Sequence, residues 1–187
     1  MKKSIIAATL VALSTSAMAQ NNDFNYVVDR FADIQVLRYE VPGFNELSLN
    51  QKKLVYFLHE AALQGRDILT DQNCKYNLQV RQVLEQIYVN YKGDRNSEDF
   101  KGLELYLKQV WFGNGIHHHY GMDKFEPKFS INFFVEEYDK LPLDKLPIYS
   151  CDRCTEEGKC DKAVRLRKTL EKVIFDPTFM AKKVNQA

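Results

Sequence analysis

Apolar residues along this chain recur mostly at three- and four-residue intervals, a spacing that predicts helices. Val27, Val28, Phe31 and Ile34 make a first amphipathic stretch, which ends before Pro42-Gly43. The run SLNQKKLVYFLHEAALQGRDIL opens on Ser48 and Gln51, spaced as a capping box, after which Leu54, Phe57, Leu58, Ala61 and Ile68 line one face. A third helix carries Val80, Val83, Leu84, Ile87 and Tyr91 and stops at Gly93. A fourth starts near Ser97 and runs through Leu103, Leu107, Val110 and Trp111 to Gly113. The expected core is a packed set of these four helices.

Beyond Gly113 the spacing breaks down. Gly113, Gly115, Gly121 and Pro127 interrupt residues 113–134, so a short extended segment is expected there around three histidines. LPLDKLPIYSCDRCTEEGKC reads as a Pro- and Cys-bearing connection, and helical spacing resumes from Ala163 to Val173. The fold class that follows is mainly α: a helical domain with a short extended or β segment near 115–130. No internal repeat or low-complexity tract interrupts it.

The first residues stand apart from that pattern. MKKSIIAATLVALSTSAMAQ has Lys2 and Lys3, then an apolar run from Ile5 to Leu13, then Ala17-Met18-Ala19. This is the layout of a secretory signal peptide, with cleavage expected before Gln20. The apolar run is too short to span a bilayer. The reading is a signal at 1–19 and a single helical domain at 20–187, exported, with a bacterial periplasm as destination and no membrane attachment after cleavage.

Composition changes this picture little. The 187 residues are 45% hydrophobic and 12% aromatic, which suits a globular core and excludes a disordered chain. Lys+Arg number 26 against Asp+Glu 25, and no basic block is interleaved with aromatics. A nucleic-acid surface therefore has no support.

Candidate chemistry is sparse. His59-Glu60 opens like a zinc-protease motif, but Leu63 stands where a second helical histidine would be needed. That leaves His59 as a surface or groove histidine. His117, His118 and His119 invite a metal, yet in a strand only His117 and His119 could converge, and no further ligand is marked out. A cleft-lining polar strand or an exposed loop is the better expectation. Cys151, Cys154 and Cys160 fall as C-x2-C-x5-C, with Cys74 available to complete a set through space. Disulfides or a structural zinc both remain open for them. No G-x-S-x-G and no phosphate-binding glycine loop is present.

The segment Gly115-Ile116-His117-His118-His119-Tyr120-Gly121-Met122-Asp123-Lys124-Phe125-Glu126-Pro127 resembles the N-terminal signature of the dipeptidyl peptidase III family, Gly-Asn-Tyr-x-Ser-Phe-Gly-x-x-Lys-Phe-x-Pro. Tyr56, Ala61, Ala62 and Gly65 match the spacing in that family's first long helix. DRFADIQVLRYEVPGF and the closing IFDPTFM…KKVNQA suit its bacterial members. The likeness spans nearly all of 20–187 and weakens across the cysteine-bearing connection.

The resemblance implies part of the non-catalytic lobe of a two-lobed zinc peptidase that releases dipeptides from the amino ends of short peptides. It places His119, Tyr120 and Gly121 in the substrate-cleft wall. Tyr120 would supply an aromatic face and His119 a hydrogen bond. The family's His-Glu-x-x-Gly-His zinc helix occurs nowhere in these residues, so no catalytic or metal-binding residue is assigned and zinc is expected only in a full-length member. The expectation is an N-terminal portion, inactive alone, with short peptides as partners. The alternative is a standalone exported helical module that binds peptides or proteins without catalysis.

Overall fold

A computed structural model describes residues 24–148 and 161–183. The expected signal segment and Cys151, Cys154 and Cys160 lie outside the described residues. The chain is mainly helical with a small antiparallel sheet. Strands β1 (Val27–Phe31) and β2 (Ile34–Leu37) come first, then α1 (Leu49–Gln64), α2 (Arg66–Asn73), α3 (Asn77–Asn90), α4 (Glu98–Gly113), α5 (Ile131–Asp139) and α6 (Asp161–Phe175). No helix among the described residues is long and apolar enough to cross a membrane.

The first expected helix is instead a hairpin. Phe31 pairs with Ile34 across a two-residue turn, and Ala32 in that turn adopts φ +47°. The positions 27, 28, 31 and 34 fit a helical face, but the stretch is only two turns long. β-branched residues at Val27, Val28, Ile34 and Val36 favour the strand conformation that prevails.

Of the next three expected helices, the run from Ser48 is broken at Gly65 into α1 and α2, the third ends at Asn90, short of Gly93, and the fourth spans Glu98–Gly113 as expected. Ser48 Oγ accepts from Gln51 N while Gln51 Oε1 accepts from Ser48 N at 2.9 Å, a complete capping box on α1. Ser97 caps α4 through Phe100 N, with Glu98 and Asp99 in the first turn against the positive end of the helix dipole. α4 ends at Asn114, whose left-handed φ of 51° terminates the helix.

Which helices make the core differs from the expectation. α3 contributes Val80, Val83, Leu84 and Ile87, and α4 contributes Leu103, Tyr106, Leu107 and Val110. The other half comes from Phe134 and Tyr138 of α5 and from Leu166, Leu170, Val173 and Ile174 of α6. α1 buries no residue. Its expected core face of Leu54, Phe57, Leu58 and Ala61 is exposed, and so is Ile68 of α2. Trp111 is likewise outside the core, donating from Nε1 to Glu85 Oε1 at 2.7 Å. Cys74 is a buried free thiol just after α2.

The chain from Phe125 to Ser130 crosses α4 in direct backbone contact. A methyl on Gly102 would lie 2.1 Å from the Lys128 carbonyl oxygen, so only glycine allows that approach. Phe125 and Phe129 are thereby pressed into the core, and Ser130 N donates to Asp99 Oδ1 at 2.7 Å, locking the start of α5 to the first turn of α4.

Candidate functional site

The site is built on the turn that follows α4. Asn77, fully buried at the start of α3, organises it. Its Nδ2 donates to the Thr70 carbonyl at 3.1 Å, and its Oδ1 accepts from Ile116 N at 3.1 Å. Gly115 sits against this amide at φ +143°, where a methyl would meet Asn77 Nδ2 at 2.0 Å.

From that anchor the chain runs out and back as a short extended loop, as expected around the histidines. Phe125 N donates to Ile116 O and His118 N to Asp123 O, both at 2.8 Å, and His117 bridges Lys124 antiparallel. The tip, residues 119–122, projects beyond this ladder. The segment after α6 holds the loop from behind: Lys183 N donates to Met122 O, Lys182 pairs with Asp123, and Lys124 Nζ donates to the carbonyls of Asp176 and Phe179.

The three histidines have three separate jobs. His117 points inward and is 2% exposed, with Nε2 at 2.8 Å from the Met180 carbonyl. A carbonyl can only accept, so Nε2 carries the proton and the buried Nδ1 is left without a partner. Burial, together with the positive charges of Lys124 and Lys183, holds this ring's pKa below its ordinary value.

His118 points the other way. The backbone N–H groups of Tyr120 and Gly121 both donate to its Nδ1 at 3.3 Å, which assigns the ring proton to Nε2. That nitrogen lies 3.0 Å from Asp33 Oδ2 in the hairpin turn. The hydrogen bond from His118 holds the Asp33 carboxyl below the usual carboxylate range. The imidazole thus ties the loop tip to the β1–β2 turn.

His119 stacks on His118 with ring centroids 4.5 Å apart and meets Phe112 edge-on at 4.7 Å. His117 and His119 do not converge; the strand alternation that would bring them together ends at His118. Tyr120 packs beside His119 at 4.2 Å yet is 91% exposed. Phe112 continues the row of rings to Phe31 at 6.3 Å. The hairpin is held on this side of α4 by Lys108, which reaches Asp29 Oδ2 at 3.1 Å. That contact raises the lysine's pKa and lowers the aspartate's.

His119, Tyr120 and Gly121 are therefore brought together on one surface, with Asp33, Phe112 and Phe31 as neighbours that sequence reasoning did not single out. Asp33 was obscured because its stretch reads as helix. Gly121 has no conformational need to be glycine: its φ is not positive, and a methyl would meet His118 Cβ at an ordinary 3.7 Å. The arrangement offers an aromatic face and an imidazole edge on a tightly anchored loop, suited to binding an extended apolar or aromatic group.

It does not suit a metal. His117 Nε2 and both nitrogens of His118 are engaged, and among the described residues no three His, Cys, Asp or Glu side chains come together as ligands. His59 on α1 is exposed. Compared with known proteins, the chain matches no family model and no curated relative.

Proposed function

We propose that this chain is the N-terminal, substrate-cleft portion of an exported zinc dipeptidyl peptidase, inactive by itself. The observation that carries the reading is the run from Gly115 to Pro127, which resembles the family signature. Within it, Tyr120 is presented to solvent on a loop fixed from three sides. The bond from His118 to Asp33, the ladder to residues 123–125 and the strap at 182–183 each remove freedom from the loop tip. A rigid aromatic face binds a peptide side chain at lower entropic cost than a mobile one.

On this reading His119 and Tyr120 face the amino-terminal residues of a short peptide. Zinc and the activated water would be supplied by a His-Glu-x-x-Gly-His helix that these residues do not contain, so no hydrolytic step is derived for this chain. The signal-like segment at 1–19 supports export.

The test has two arms. Incubated with zinc and a dipeptidyl arylamide, the chain should release no arylamine; turnover would overturn the claim that it is inactive alone. Titration with a tetrapeptide bearing an aromatic second residue should perturb the amide resonances of 118–121. Tyr120→Ala should weaken that binding about tenfold, consistent with loss of one stacked ring. Binding unchanged by Tyr120→Ala would remove the cleft-wall role.

The second reading, a standalone binding module, draws on the α3–α6 core, which is one continuous cluster of buried side chains. The exposure of α1 counts against it.

A further inference from the structure

A cavity of about 440 Å³ opens between the ends of α3 and α5, within the size range of small-molecule sites. Ile87, Leu141 and Pro142 give it apolar walls, and Lys92, Glu137 and Lys140 give it charged ones. α3 is 14 residues long, so this end lies about 20 Å from Asn77 and the histidine loop anchored on it. Tyr91 is a fixed part of the wall: its ring stacks on Phe100 at 4.6 Å and meets Phe133 edge-on at 5.6 Å. A methyl on Gly93 would come within 2.4 Å of the Tyr91 hydroxyl, so glycine at 93 admits the ring in this position.

Glu137 is the group that needs an explanation. Its side chain is 11% exposed, whereas glutamate is seldom buried unless paired. Oε1 accepts from Lys140 Nζ at 2.6 Å, and no group among the described residues hydrogen-bonds the other oxygen. Lys140 is 65% exposed, and a pair held from that side contributes little to stability. The same i,i+3 pair on the outer face of α5 would carry no burial cost. On the α3 side, Lys92 makes no ion pair among the described residues. α3 ends at Asn90 and α5 at Asp139, so the negative ends of two helix dipoles border the cavity and favour a cation at Glu137.

We propose that this cavity binds a small zwitterion, a free amino acid with an apolar side chain. Its ammonium group donates to the Glu137 carboxylate in place of Lys140. The released Lys140 and Lys92 then hold the ligand's carboxylate, and its side chain lies against Ile87, Leu141, Pro142 and the Tyr91 ring. A simple amine would leave both lysines without a partner, and a simple carboxylate would make no use of Glu137. A zwitterion serves both. At about 30 Å³ per water the volume holds roughly fifteen waters, space for an amino acid the size of leucine or phenylalanine. The proposal stands apart from the peptidase reading, since neither His119 nor Tyr120 lines this cavity.

The experiment titrates the isotopically labelled 187-residue chain with L-leucine, with leucinamide, which lacks the carboxylate, and with isocaproate, which lacks the amine. Leucine should give saturable amide shifts at 87–93 and 137–142 and bind about tenfold more tightly than either analogue, as loss of a charge-assisted contact predicts. Glu137→Gln should weaken leucine and leucinamide about tenfold and leave isocaproate unchanged. Lys92→Met, on an exposed side chain, should weaken leucine and isocaproate and spare leucinamide. Undisturbed resonances from α4 show that a variant is folded, and should Glu137→Gln fail that check, the Lys92→Met pattern decides alone. The absence of saturable shifts at these residues up to about 10 mM leucine would overturn the proposal. So would shifts at 118–121 instead, which would move the ligand to the histidine loop. Equal binding of the three compounds would reduce the cavity to an apolar hole, and isocaproate binding as tightly as leucine would make it an anion site; either result overturns the zwitterion.

Discussion

A methyl group on Gly115 would overlap Asn77 Nδ2 at 2.0 Å, on a backbone already held at φ +143°. Gly115→Ala is therefore expected to destabilise the chain by about 3 kcal/mol, because neither the φ nor the buried amide can yield cheaply. Urea unfolding should show a lower midpoint at an unchanged slope; a loss under about 1 kcal/mol would mean that the turn relaxes freely. The sequence marks Gly115 as a breaker but says nothing of Asn77, since the contact joins residues 38 apart in the chain. His117 was legible as one of three histidines and illegible as the buried one. With Nε2–H committed to Met180, a second proton must go onto a buried Nδ1 that has no acceptor. The native ring therefore titrates below its ordinary 6.5. Between the native pKa and 6.5 the unfolded chain binds a proton that the native chain does not, so stability falls as pH drops below 6.5 and is flat above it. His119, also lowered mainly by burial, acts in the same direction. His117→Gln keeps a donor for Met180 and should reduce this acid sensitivity, measured as unfolding free energy at pH 5 and pH 7.5; an undiminished slope would assign the effect elsewhere.

At the scale of elements, caps and long periodic runs were readable, and short elements were not. Ser48, Ser97, Gly93 and Gly113 mark helix ends that the structure reproduces within a few residues, because capping is local chemistry. The β1–β2 hairpin was misread, since two turns of helix and two short strands share the same apolar positions until a tertiary partner decides. Here Lys108 and Phe112 of α4 are those partners. α5 is missing from the expected elements because its nine residues follow directly on the irregular segment; its start is fixed by Ser130, whose Oγ accepts from Phe133 N and whose own N donates to Asp99 Oδ1. The junction between hairpin and loop is held by one ring. His118→Ala removes the acceptor for Tyr120 N and Gly121 N together with the donor to Asp33. Amide exchange at residues 119–122 should rise tenfold or more, while global stability falls by no more than about 1 kcal/mol, since the pair is solvent-accessible. A collapse of the global transition would instead make His118 a core strut.

For the whole molecule, the sequence revealed how apolar each helix is but not against what it packs. LVYFL at 54–58 reads as buried, but all five residues are exposed and the α3–α6 core closes without them. This division makes a quantitative contrast. Leu107 on α4 is fully buried in the core cluster, so Leu107→Ala removes both transfer energy and packing and should cost about 3 kcal/mol. Leu54, of the same chemical type and 59% exposed, should tolerate even Leu54→Glu within about 0.5 kcal/mol in the isolated chain. Parallel urea unfolding of the two variants decides the matter. Near-neutral Leu54→Glu beside a costly Leu107→Ala places all of the isolated chain's cooperative stability in α3–α6. Equal losses would show α1 folded back onto that core.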